Sequence, residues 1–258
     1  MKAFYRISDN SYFKPKIPGA TKQNCLKNFL NCFTESEKFI IADNVSNETF
    51  AMIKQMFTGK IFKTESSNAK SFIWAVKKAI ELFADKEEVY FCEDDYFHRL
   101  ISEDVLSEGL NIADYVTLYD HPDKYNEFKC SDACVVYKTK SCHWKSCVST
   151  CMTFGTHVKN LRDDFETFDR WTSETHPHDH QMFYELTMQK GRTLISALPG
   201  VACHLDLTWP LQHDDADFIE EWTYKIAEKF LLKGKELPEE LKGVPNLQRL
   251  LLLEEFLK

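Results

Sequence analysis

The chain has 258 residues and a mass of 30.2 kDa, and its 43% hydrophobic and 14% aromatic content is enough to bury a sizeable core. Its formal net charge of -8 argues against a protein whose main task is gripping a nucleic-acid backbone, which needs clustered Lys and Arg. No apolar run approaches the roughly 18 to 20 residues that span a bilayer, the start MKAFYRISDN lacks a signal-peptide core, and nine cysteines, an odd number, suit reduced thiols; the expectation is a cytoplasmic protein.

In chain order, short apolar runs alternate with helical patterns. AFYRIS (3 to 8) precedes a helix around TKQNCLKNFLNCF, and KFIIAD (38 to 43) precedes one from near Ser46 to before Gly59. After KIFK (60 to 63), a helix from about Ser67 to Ala84 carries Phe72, Val76, Ala79, Ile80 and Phe83 on one stripe. EVYFC (88 to 92), a further helix and DYVTLY (114 to 119) follow. Strands alternating with helices predict an α/β fold: a mostly parallel central sheet with helices on both faces.

The second half changes texture. DACVVYKT (132 to 139) and CVSTCMTF (147 to 154) read as strands of a small antiparallel part, and a polar helix is expected from about His157 to Trp171. A loop then leads to a helix from about Asp179 to Lys190, stopped by Gly191, and to the short strands RTLISA and VACHLD. Residues 1 to 213 are expected to form one domain and 214 to 258 a helical tail packed on it. The leucines of that tail suit core packing, a dimer contact or a membrane surface equally, and core packing is the commonest fate.

Only 8 residues are glycine, about 3% against the roughly 7% of average proteins, and neither GxGxxG nor GxxxxGK[ST] occurs. A protein of this kind that handles phosphates must use cations. In parallel sheets ligands bind at the carboxyl ends of strands, and Asp9, Asp43, the Glu93, Asp94, Asp95 cluster and Asp120 all fall at or just after such ends.

Glu93 and Asp95, one residue apart, can both reach a hard divalent cation; the competing reading has Asp94 or Asp95 capping a helix that starts near Tyr96. His204, in ACHLD, is either a nitrogen ligand completing that site or a structural histidine. Asp179, in HPHDH (176 to 180), is a general base or an N-cap. The alternating histidines there, and Cys130, Cys134, Cys142, His143, Cys147 and Cys151, admit zinc, although no CxxC pair occurs. Trp171, Trp209 and Tyr119 suit either core packing or stacking on a base or sugar ring.

Together these segments resemble the nucleotide-sugar-dependent glycosyltransferases of the GT-A fold, a Rossmann-like architecture, over roughly residues 1 to 206. The parts that carry the resemblance are strands ending in RISD and IIAD, the helix SSNAKSFIWAVKKAI, YFCEDD in the place of the family's D-x-D motif, and a late HLD. The resemblance implies that Asp43 holds the base or ribose, that Glu93 contacts ribose and Asp95 the metal, and that His204 is the late metal ligand. It implies Asp179 as the carboxylate that deprotonates the acceptor, with Arg6, Asp9, Asn68 and Asp94 as further nucleotide-sugar contacts. The cofactor is then Mn²⁺ or Mg²⁺, the donor a UDP- or GDP-sugar, and the acceptor a carbohydrate or other hydroxyl compound. Two departures stand out: the motif reads EDD, and Asp179 is followed by HQMF instead of a second acid. The alternatives are a nucleotidyltransferase that makes sugar nucleotides, although residues 9 to 20 hold only Gly19, and a non-catalytic metal- or sugar-binding module on the same fold.

Overall fold

The computed structural model describes residues 1–10, 16, 20–121 and 134–205. The tail over 214 to 258 that is expected to be helical, Trp209 and Cys130 lie outside the described residues.

Strands β1 (Lys2–Ser8), β2 (Glu37–Asp43), β3 (Lys60–Thr64) and β4 (Glu88–Glu93) are joined by helices α1 (Lys22–Cys32), α2 (Asn47–Met56) and α3 (Asn68–Leu82). Each of these helices starts where the sequence supplies a hydroxyl: Thr21, Ser46 and Ser67 accept the amides of Asn24, Thr49 and Lys70. Further strands and helices are β5 (Tyr96–His98), α4 (Ser102–Leu110), β6 (Tyr115–Thr117), β7 (Val136–Lys138), β8 (His143–Ser146) and β9 (Phe154–His157). The described part ends with α5 (Val158–Asp163), α6 (Phe165–Trp171), α7 (Asp179–Tyr184), β10 (Leu194–Leu198) and β11 (Ala202–His204).

Nine strands form one sheet in the order β3-β2-β1-β4-β9-β6-β10-β8-β7. β1, β2, β3 and β4 are mutually parallel, β6 is parallel to β10, and β9 and β8 run antiparallel to their neighbours. The chain moves outward from β1 through β2 to β3, then α3 returns it to the other side of β1 as β4. That reversal opens a crevice at the carboxyl ends of β1 and β4, the position where open α/β sheets bind ligands.

Period-two alternation sorts the strand residues onto two cores. Tyr5, Ile7, Ile40, Tyr90 and Cys92 join Leu26, Phe29, Ile53 and Leu106 on the face of α1, α2 and α4. Phe4, Phe39, Ile41, Val89 and Phe91 join Phe72, Val76, Leu161, Phe168 and Phe183 on the face of α3, α5, α6 and α7. Helices therefore cover both faces, as the alternating pattern predicts.

Four local expectations are corrected. No helix begins at Tyr96: β5 is a strand that pairs antiparallel with β11, placing Tyr96 opposite His204, and Asn28 of α1 bonds both backbone groups of His98 to seat this ribbon. CVSTCMTF is a strand only from Phe154, since β9 enters the sheet between β4 and β6 while Thr153 accepts the amide of Glu93. The helix expected over 157 to 171 breaks at Asp164, whose carboxylate takes the Tyr115 hydroxyl and Arg192 Nε, both at 2.7 Å. The helix from Asp179 widens into a π-turn over Glu185–Gln189; Gly191, at φ +71°, ends it as predicted.

His98 is buried, with Nε2 2.7 Å from the Tyr90 hydroxyl and, among the described residues, no partner for Nδ1. Burial lowers its pKa to about 3, so the folded protein keeps it neutral where the unfolded chain would protonate it near its ordinary 6.5. The unfolded state binds the extra proton in that window, so the stability held above pH 6.5 is lost as pH falls towards 3. Denaturant unfolding should show His98 costing the wild type about 2 kcal/mol between roughly pH 7.5 and pH 5, with that slope absent in His98→Gln; parallel profiles for the two proteins would contradict the assignment.

Candidate functional site

The crevice is a cavity of about 210 Å³ whose walls include Arg6, Asp43, Asn68, Glu93, Asp94, Asp95, Asp179 and His204. Eight of the nine residues to which the resemblance gives a role thus converge, although they come from six separate segments. Asp9 does not line it: its carboxylate accepts the Ser46 amide at 2.8 Å and helps seat the start of α2, which holds its pKa below the ordinary range although its partial burial opposes that.

Arg6 forms the floor. It stands in register with Glu93 across β1 and β4, pairs with Glu93 Oε1 at 2.5 Å, and donates to the carbonyl of Asn68 in the first turn of α3. Burial is the main influence raising the Glu93 pKa; Arg6 opposes it, and the negative charges of Asp95 and Asp179 add to it. The carboxylates of β4 and α7 therefore feel one another across the cavity.

The other two acids of EDD also have cations. Lys22, the first residue of α1, lies 2.7 Å from Asp94 Oδ2 and donates to the carbonyl of Ser8, while the Ser8 amide donates to the same Asp94 oxygen at 3.1 Å. Asp94 is thus a brace between β1, α1 and β4. Asp95 Oδ2 lies 3.4 Å from Lys16 Nζ and 3.3 Å from His204 Nε2. Burial works to lower the Lys16 pKa, but Asp95 and Asp94 outweigh it and hold it above the ordinary range. The His204 ring is stacked on Tyr96 at 4.8 Å and faces Tyr119 edge-on, so its orientation is fixed by aromatic packing.

At the far end, Asp43 Oδ1 accepts from the Thr64 hydroxyl at 2.7 Å and from the Ser66 amide and hydroxyl at 2.9 Å each. Asn44, at φ +49°, turns the chain sharply there, a conformation Asn tolerates better than most residues. On the opposite wall Asp179 is the first residue of α7; the N-cap position belongs to His178, and Asp179 Oδ1 accepts the His180 amide at 2.7 Å. The loop before it is tied to α3 by the Ala69 amide, which donates to the Thr175 carbonyl.

Sequence reasoning missed Lys16, Ser66, Ser71, Tyr96, Cys151 and Met152 as lining residues. Ser66 carried a signal, adjoining a predicted helix start, whereas Lys16 is one of 32 basic residues with nothing local to mark it. Trp171 donates to Glu185, Tyr119 packs on Tyr96 and His204, and neither lines the cavity.

Among the described residues no three His, Cys, Asp or Glu side chains are placed to hold a metal, which leaves the zinc reading without a site there. For a hard divalent cation the donor set is a pair, Asp95 and His204. Their 3.3 Å separation is close to the roughly 3 Å edge of an octahedron with about 2.1 Å bonds, so the pair fits such an ion if other oxygens complete its shell. Of the charged lining side chains, five are carboxylates and two are cations, and Lys22 behind Asp94 supplies a third positive charge. A deficit of two positive charges remains when all are ionised.

The fold is that of the GT-A transferases. The galactosyltransferase LgtC, solved in complex with donor and acceptor sugar analogs, is 12% identical, with a TM-score of 0.50 over 94% of this chain and 99% of that one. A 4-diphosphocytidyl-2C-methyl-D-erythritol synthase from Anaerococcus prevotii gives 9% identity and a TM-score of 0.46 over 86% of this chain and 95% of that one. TarS of S. aureus gives 14% identity and 0.43 over 93% of this chain and 67% of that one. No protein-family model matches the chain, and no curated protein matches it in sequence.

Replacing Arg6 would leave Glu93 without its counter-ion and α3 without its tie to β1. Arg6→Met is expected to cost roughly 3 kcal/mol in urea unfolding, with Glu93→Gln in the same chain recovering part of it; a loss under about 1 kcal/mol would show that the pair is not the floor of the site.

Proposed function

We propose that the protein is a metal-dependent glycosyltransferase of the hexosyltransferase kind, moving a sugar from a UDP- or GDP-sugar to a hydroxyl of a carbohydrate or other acceptor with inversion. The observation that carries this is the cavity at the strand-order reversal, where Asp43, the EDD acids, His204 and Asp179 meet on a GT-A sheet. A cytoplasmic location belongs to the same proposal and is supported by the odd count of nine cysteines.

The donor's nucleoside lies towards Asp43 and Ser66, with Glu93 on the ribose. Asp43 Oδ1 already takes three donors while Oδ2 takes one, the Asn44 side-chain amide at 3.2 Å, so Oδ2 has the greater capacity left for the ligand. Asp95 and His204 hold Mn²⁺ or Mg²⁺, which when bound offsets the charge of the diphosphate and stabilises it as a leaving group. The deficit of two positive charges supports this, since a dianionic or more highly charged donor entering alone would meet net repulsion.

Asp179, facing the cavity from α7, accepts the proton of the acceptor hydroxyl as its oxygen bonds to the anomeric carbon. The bond from that carbon to the diphosphate breaks, and the nucleoside diphosphate leaves with the electron pair. The His180 amide holds Asp179 Oδ1 and so fixes the direction of the carboxylate.

Incubation with a panel of nucleotide sugars and acceptors, read by phosphorus NMR, tests the reaction. Release of nucleoside diphosphate is expected; pyrophosphate formed from a nucleoside triphosphate and a sugar phosphate would identify a nucleotidyltransferase instead, and no turnover of either kind a binding module. Asp179→Asn should lower transfer by about 10² to 10⁴-fold with donor affinity unchanged, and near-wild-type turnover would remove Asp179 from the mechanism.

A further inference from the structure

Each acid of the EDD cluster is matched by a lysine or arginine of the same protein, but the three matches differ in kind. Arg6 and Lys22 are anchored twice, each holding a backbone carbonyl, of Asn68 and Ser8, as well as its carboxylate. Their partners Glu93 and Asp94 serve the scaffold. Lys16 pairs with Asp95 at 3.4 Å, the longest of the three, and it does so on Oδ2, the oxygen that also faces His204 Nε2. The acid whose geometry suits a divalent cation therefore already has an ammonium group beside the oxygen that would take the ion. Lys16 itself is three-quarters buried, lines the cavity and stands on the segment after β1, where a P-loop protein would carry glycine amides.

We propose that Lys16 is a built-in counter-ion that competes with the divalent cation for Asp95 Oδ2, and so sets the metal affinity of the site. This rests on the reading of Asp95 and His204 as the metal pair. An ammonium and a divalent cation cannot both sit against one carboxylate oxygen without strong mutual repulsion, so metal entry requires Lys16 to withdraw. Lysine suits the role because its charge is a point on a flexible stem with several alternative positions, where an arginine fork would lock onto the carboxylate. The consequence is a site that binds the bare cation weakly. An anionic diphosphate that draws the ammonium towards itself would strengthen metal binding, and by linkage the metal would strengthen diphosphate binding.

The test is titration of Mn²⁺ alone, followed by the electron paramagnetic resonance signal of the free ion, against wild type, Lys16→Met, Lys16→Gln and Lys16→Arg, with folding checked by circular dichroism. The two neutral variants are expected to bind Mn²⁺ on the order of tenfold tighter than wild type, Lys16→Arg no tighter than wild type, and the gain should vanish when Asp95→Asn is added. Equal or weaker Mn²⁺ binding in the neutral variants, with binding still dependent on Asp95, overturns the competition and leaves the metal pair standing. Absence of Mn²⁺ binding in wild type and neutral variants alike overturns the competition and the metal pair together.

Discussion

A single guanidinium holds the centre of this molecule together. Arg6 on β1 pairs with Glu93 on the neighbouring β4 and with the backbone carbonyl that begins α3, the helix that carries the chain from one side of β1 to the other. The reversal of strand order would open a crevice in any sheet of this topology. Here Arg6 ties β4 and the start of α3 to β1, and it places a buried cation beside a carboxylate that would otherwise be costly to hide.

Charge explains the rest of the arrangement better than shape does. A glycine-poor chain has no amide cradle for phosphate, and the first-turn amides of Ala69 and Lys70 in α3 are already given to Thr175 and Ser67. Carboxylates instead crowd one strand end until their mutual repulsion and burial raise the Glu93 pKa. Protein cations match most of that charge and leave a shortfall of two. A dication would offset that shortfall, whereas a polyanionic ligand entering without one would meet net repulsion.

The sequence pattern revealed the sheet because β1, β2 and β4 are buried on both faces and the first three helices each begin at a hydroxyl cap. It also revealed the acids, because strand-end position is a local property. What it hid was set by distant pairings. β9 enters antiparallel between β4 and β6, a choice made by its two neighbours and not by FGTH itself. Tyr96 begins a strand because β11 lies beside it, and that ribbon, built by residues about a hundred positions apart, brings His204 to Asp95. Asp9 looked like a strand-end acid equal to Asp43, but its carboxylate turns back onto the start of α2. Lys16 could not be distinguished from other lysines before its partner was known.

The cavity at the β1 and β4 ends is proposed to bind a nucleoside diphosphate together with a divalent cation. Calorimetric titration with UDP and GDP, in Mn²⁺ and again in excess chelator, tests it most directly. Micromolar binding of one of the two is expected in Mn²⁺, with a loss on the order of a hundredfold or more in chelator, by removal of the charge that offsets the diphosphate. Equal affinity with and without the metal would contradict it.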